Sequence, residues 1–118
     1  MSNLIKDKSF ALAVKGVFFY KKMTENKREF ILIKQFLRSI TSVGANIREA
    51  INGQSKADFI HKLSISQKEC DETMYWLELL HATDYISDEE FKDIYPDCDE
   101  VYRITKSIIL TTKKNNNS

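Results

Sequence analysis

The sequence predicts an all-α protein, an antiparallel up-down four-helix bundle. Three observations carry this. The 118 residues include only 3 Gly and 1 Pro, too few for a β-sandwich, which needs a turn signal every ~8–12 residues. Two long stretches, Phe30–Ile51 and Phe59–Leu80, place core-type residues at alternating steps of three and four, the spacing of helices in bundles. Ser and Asn residues stand at the expected helix starts, several with an acid three positions later, the signature of a capping box. A chain of this size buries a core without disulfides.

The first helix is expected over about residues 3–23, with Leu4, Ala11, Val14, Val17 and Phe18 as its core stripe, widened by Phe10 and Tyr20. Lys21 and Lys22 suit its C-terminus, where cations complement the helix dipole. Thr24–Lys27 is a short connection, which sends the second helix back antiparallel.

The second helix is expected over 27–52, capped by Asn26 with Glu29 reaching back. Its core register is Phe30, Ile33, Leu37, Ile40, Gly44, Ile47, Ile51, and a second apolar row, Leu32, Phe36, Val43, Ala50, lies beside it. Together they cover nearly half of the helix and reach two neighbours. The opposite side carries Ser39, Ser42, Asn46 and Glu49, with a basic edge of Lys34, Arg38 and Arg48. Ser and Asn are weak helix formers. In a row on an outer face they point to close approach of another helix.

Asn52-Gly53 ends this helix, with Gly53 suited to a left-handed cap. The third helix is expected over 56–83, capped by Ser55 with Asp58, and its core register is Phe59, Leu63, Ser66, Cys70, Thr73, Leu77, Leu80. The small residues in the middle predict a close helix approach there. A flanking row, Asp58, Lys62, Ile65, Glu69, Glu72, Trp76, mixes acids with the only tryptophan, a composition that fits a protein contact.

The fourth helix is expected over 88–113, capped by Ser87 with Glu90. Pro96 predicts a kink or break between Ile94 and Asp97, since proline removes a backbone donor. Val101, Ile104, Ile108 and Ile109 continue the apolar face, and residues 115–118 read as a polar tail.

The net charge of +1 is unevenly distributed. Residues 1–68 hold 13 Lys/Arg against 5 Asp/Glu, residues 69–100 hold one Lys against 12 acids, and the last 18 residues hold four bases and no acid. Two readings fit. Each helix has a solvated charged face, or the subunit is dipolar, offering a basic surface to RNA or DNA or docking its basic side on the acidic side of a copy. The candidate nucleic-acid residues are Lys21, Lys22, Lys27 and Arg28 at one bundle end, with Lys34, Arg38 and Arg48.

No apolar run reaches the ~18 residues of a membrane span, and the charged N-terminus does not read as a secretory signal. Cys70 and Cys98 share no metal spacing and fit as small buried hydrophobes of a reduced, cytoplasmic protein. Glu78-Leu79-Leu80-His81 matches one half of a dimetal motif, and Asp58-Phe59-Ile60-His61 weakly matches the other. Both fall on one helix ~30 Å apart, so they do not converge within one chain. No phosphate loop, zinc spacing or nucleophile elbow is present. The expectation is a non-enzymatic protein with no cofactor, no metal and no small-molecule substrate.

The central stretch resembles a bacterial family, the small four-helix-bundle proteins encoded by intervening sequences inside large-subunit ribosomal RNA genes. The residues that carry the likeness are Gln35 to Leu37, Arg38-Ser39, Thr41-Ser42, Ala45-Asn46-Ile47, Glu49-Ala50, Ser55-Lys56, Asp58-Phe59, Lys62-Leu63, Lys68-Glu69, Glu72-Thr73 and Tyr75-Trp76-Leu77. The resemblance implies an up-down bundle that assembles as a homopentamer with no established enzymatic activity. A more distant likeness is to the accessory variability protein of diversity-generating retroelements, which shares the pentameric bundle and works with a reverse transcriptase and nucleic acid through a basic surface. Subunit contacts are then expected at Ser39, Ser42, Asn46 and Glu49 and at Asp58, Glu69, Glu72 and Trp76. Lys34, Arg38 and Arg48 would meet Glu69 and Glu72 of the next chain, a head-to-tail contact that closes a ring. The alternative function is a protein-binding scaffold with no affinity for nucleic acid.

Overall fold

The computed structural model describes residues 3–115. The chain forms four α-helices, α1 Leu4–Glu25, α2 Leu32–Ile51, α3 Lys56–Ala82 and α4 Asp88–Asn115. Each packs on its sequence neighbour, and α4 closes back on α1. Among the described residues the backbones of the diagonal pairs α1/α3 and α2/α4 stay apart, which is the up-down arrangement. The long axis is 52 Å. Among the described residues no helix is long and apolar enough to cross a membrane. The expected tail lies outside the described residues, apart from Asn115, which still belongs to α4.

Caps set the helix ends. Ser55 Oγ accepts from Asp58 N–H at 3.0 Å. Ser87 and Glu90 form a reciprocal box at 2.9 and 3.1 Å. The second helix starts five residues later than expected because Asn26 ends α1 rather than starting α2. Lys27 then takes a left-handed φ of 51°. Arg28 N–H donates to Met23 O and Lys27 N–H to Thr24 O, the paired bonds of a Schellman motif. Glu29 keeps a capping role, its carboxylate accepting from Ile31 and Ile33 N–H at 3.0 and 2.8 Å. Asp84, at φ 64°, closes α3 in the same way. No glycine has a positive φ. Gly53 is needed for room instead, since a Cβ there would lie 2.8 Å from Asp58 Oδ2.

The core follows the α3 register closely. Leu63, Ser66, Cys70, Thr73, Leu77 and Leu80 are buried, and Phe59 packs partly against them. The expected close approach is present: Ser66 Oγ donates to the Val43 carbonyl of α2 at 2.8 Å. On α2 the buried face runs between the two apolar rows, taking Ile33, Ile40 and Ile47 from one and Phe36, Val43 and Ala50 from the other. Phe30 and Ile51 are left exposed. Burial pushes the Cys70 thiol up to about 12 and raises that of Cys98 as well, so both stay protonated and pack as small apolar groups.

α4 continues without a break through Pro96, which lies inside the helix on its exposed side. Proline removes a donor from this turn. Lys15 of α1 reaches across to it, donating to the Asp93 carbonyl at 2.8 Å and to Asp97 at 2.7 Å. The hydrogen bond that Lys15 donates to Asp97 is the main cause that raises the Lys15 pKa, against the opposing effect of burial. A lysine inside the most apolar part of α1 thus ties α1 to the proline turn of α4.

The largest departure concerns α1. The buried residues are Ile5, Ser9, Leu12, Gly16 and Met23, not the expected stripe. Small residues on this side let α1 lie close to α2. A Cβ on Gly16 would come within 2.7 Å of Ile40 Cγ2, and Ser9 faces Gly44. The expected stripe, Leu4, Ala11, Val14, Val17 and Phe18, together with Phe10, points outward.

Candidate assembly surface

The polar rows expected to join subunits mostly serve the protomer itself. Ser39 is fully buried, not on the outer face. Its hydroxyl donates to Phe36 O at 3.0 Å and accepts from Thr73 Oγ1 at 2.9 Å, which satisfies a polar group inside the core. Ser42 bonds back to Arg38 O, and Asn46 Nδ2 to Ser42 O. Glu49 pairs with Lys62 of α3 at 3.3 Å. Asp58 sits at the first turn of α3 against Gly53.

Arg38 bridges Glu69 at 3.1 Å and Glu72 at 2.5 Å within the same chain. The hydrogen bond that it donates to Glu72 is the main cause that raises the Arg38 pKa. The complementary rows on α2 and α3 therefore meet within the protomer. Trp76 turns against the core, and its indole Nε1 is buried with no hydrogen-bond partner among the described residues. The exposed aromatic there is Tyr75, edge-on to Trp76 at 5.1 Å.

Two of the four basic candidates at the α1–α2 end share one carboxylate. Lys22 and Arg28 both pair with Glu90, at 3.0 and 2.8 Å. Burial would raise the Glu90 pKa, but hydrogen bonds from Ser87 N–H, Lys22 and Arg28 outweigh it and hold the carboxyl at about 2. Lys21 lies over the Phe18 ring, 5.9 Å from its centroid. Lys27, Lys34 and Arg48 are exposed. Of the His-containing motifs, Glu78 accepts from Tyr95 Oη at 2.9 Å, and His81 Nε2 lies 2.6 Å from Asp88 while stacking on Phe91.

Among the described residues the outer face of α1 exposes a row of large apolar side chains. Phe10 is 61% exposed, Phe18 65% and Leu4 55%, with Val14 and Val17 between them. Phe10, Val14 and Phe18 follow one another at steps of four, with Val17 three residues after Val14, and make one stripe along the helix. A groove of about 380 Å³ runs beside it toward α2, lined by Phe10, Ala13, Thr41, Gly44 and Ala45 among others. A second, of about 450 Å³, runs toward α4, with Ala11, Val14, Phe18 and Phe19 forming its apolar part. The face is a helical ridge between two recesses.

Comparison with known proteins places this geometry. The model of the 23S rRNA-intervening sequence protein family matches residues 2–107. The chain belongs to the 23S rRNA-intervening sequence protein family. A solved relative supports the family's fold here: a crystal structure at 1.70 Å of a protein with unknown function from the S23 ribosomal protein family of Bacteroides thetaiotaomicron VPI-5482 is 51% identical. It covers 89% of this chain and 97% of its own, with a TM-score of 0.87. No protein of curated function matches the chain. For this member of the intervening sequence family, the apolar ridge of α1 is the surface that sequence reasoning missed as a surface. The signal was present, because the most apolar side of α1 is not the side with the small residues that permit close packing.

Proposed function

We propose that the chain is a non-enzymatic subunit that assembles with further copies of itself, and that the outer face of α1 makes the contact. The exposed stripe Phe10, Val14, Val17, Phe18 carries this reading. Burying such a side chain from full exposure contributes about 1.5–3 kcal/mol, and the part still exposed, about two-thirds of each phenylalanine and two-fifths of each valine, offsets some of the entropy lost on association. The recesses beside α1 supply holes for apolar side chains of a neighbour. A ridge of one copy in a groove of the next is a heterologous contact, the type that closes rings. Five copies is the number that the family resemblance implies.

Sedimentation analysis tests this. The expected mass is near five times the 13.8 kDa of one chain. Phe18→Glu and Val14→Glu, both on exposed positions, should give helical monomers. A wild-type monomer, or a variant of unchanged mass, overturns the reading. The second reading, a scaffold for a different protein, draws on the same face and predicts a wild-type monomer. Nucleic-acid contact at Lys21, Lys22, Lys27 and Arg28 draws little support, since Glu90 engages two of the four.

A further inference from the structure

The fold redistributes the charge of the chain along the bundle. The half formed by residues 3–13, 42–68 and 102–115 contains the α2–α3 turn and the C-terminus of α4. It carries ten Lys/Arg and three Asp/Glu, a net +7. The half formed by residues 14–41 and 69–101 contains the α1–α2 and α3–α4 turns. It carries eight Lys/Arg and fourteen Asp/Glu, a net −6. The cluster that looks most basic in sequence, around Lys21 to Arg28, thus lies in the acidic half, because the acidic start of α4 folds beside it. The basic end is the opposite one.

Ion pairing sharpens the contrast. In the acidic half Lys15, Lys22, Arg28 and Arg38 are held by carboxylates. At the basic end Lys6, Arg48, Lys56, Lys68, Lys106, Lys113 and Lys114 are exposed and enter no ion pair among the described residues. Like charges concentrated in this way repel one another and disfavour the compact state. A polyanion relieves that repulsion and gains from released counterions.

We propose that this end binds the phosphate backbone of a nucleic acid, without reading bases. The geometry favours it over an acidic protein surface. The exposed bases are not confined to one end face: along α3 they run from Lys56 to Lys68, twelve residues or roughly 18 Å, an extended track rather than a compact patch. A duplex presents one charge per ~1.7 Å of axis, so many phosphates fall within the same span. Six of these seven unpaired bases are lysines, strongly hydrated point charges that suit phosphate without demanding a fixed fork geometry. The track is complete in one protomer and does not depend on assembly through α1.

The test is fluorescence anisotropy of the full chain with a labelled 30-nucleotide single-stranded RNA and a 30-base-pair DNA duplex. With about five phosphate contacts, affinity for the duplex should fall roughly 100-fold between 50 and 150 mM salt. The quadruple variant Lys56→Glu, Lys106→Glu, Lys113→Glu, Lys114→Glu should lose at least 30-fold on either polymer. The triple variant Lys21→Glu, Lys27→Glu, Lys34→Glu, at the other end, should stay within threefold of wild type. Either ranking of RNA against duplex supports the proposal and names the polymer. Wild-type affinity in the quadruple variant, equal loss in the triple variant, or a poly-glutamate peptide bound as tightly as RNA would each overturn it. Circular dichroism checks that the variants remain helical, and the wild-type salt dependence stands as a test if one does not.

Discussion

Gly16 and Gly44 both lie within helices at the α1–α2 seam, and the same substitution should act on them with opposite sign. A Cβ on Gly16 would sit 2.7 Å from Ile40 Cγ2 and 2.9 Å from Cδ1, well inside the ~3.5–4.0 Å optimum for carbon atoms. Ile40 is fully buried, so it has little space to retreat. Overpacking of this kind costs about 1–3 kcal/mol, and alanine recovers about 1 kcal/mol of helix propensity. Gly16→Ala should therefore destabilise by up to about 2 kcal/mol. A Cβ on Gly44 would meet Ser9 O at 3.4 Å, ordinary contact, so the propensity term wins and Gly44→Ala should stabilise by up to about 1 kcal/mol. Urea unfolding at one fixed protomer concentration gives both midpoints. A shift of both midpoints in the same direction would refute the claim that small residues seat α1 on α2.

Three further outcomes are expected. Glu90→Gln should cost about 1.5–3 kcal/mol near neutral pH, the range for hydrogen bonds to a charged group. Because the folded carboxyl titrates at about 2, below its ordinary value of 4.5, that difference from wild type should persist above pH 4.5 and fade as pH falls toward 2; denaturant melts at several pH values measure it, and a constant difference would count against the network. Pro96→Ala restores a helix donor at an exposed position and should raise stability by about 1–3 kcal/mol, seen as a higher urea midpoint. Thr73→Val removes the bond to Ser39 while leaving Ser39 its bond to Phe36 O, and should cost about 1 kcal/mol in the same assay.

The pair α2/α3 was legible because its rows repeat without a miss and because Ser66, Cys70 and Thr73 mark a close approach in an otherwise apolar register. The α1 face was misread because apolarity alone decides nothing when a helix has two faces to bury. Its inner side uses Ser9 and Gly16, whose value lies in size, while Phe10 and Phe18 make the outer side look like core. Ser39 was placed outside for the reverse reason: a hydroxyl reads as surface, yet Phe36 O and Thr73 satisfy it inside. The match between Arg38 and the acids Glu69 and Glu72 was visible, but complementarity does not say whether the partner belongs to the same chain. Charge blocks along the chain misled in a similar way, since antiparallel packing lays the acidic start of α4 beside the basic α1–α2 turn. A proline in α4 suggested a break, and only the fold brings Lys15 to that turn.

The mass of the particle in solution tests the central claim most directly. Sedimentation equilibrium of the wild type and of Phe18→Glu should give an assembly near five times 13.8 kDa and a helical monomer, respectively. Trp76→Ala and Asn46→Ala, whose side chains serve the protomer, should leave the assembly mass unchanged. An assembly that survives Phe18→Glu but dissociates on Asn46→Ala would contradict the assignment and return the contact to the polar row of α2.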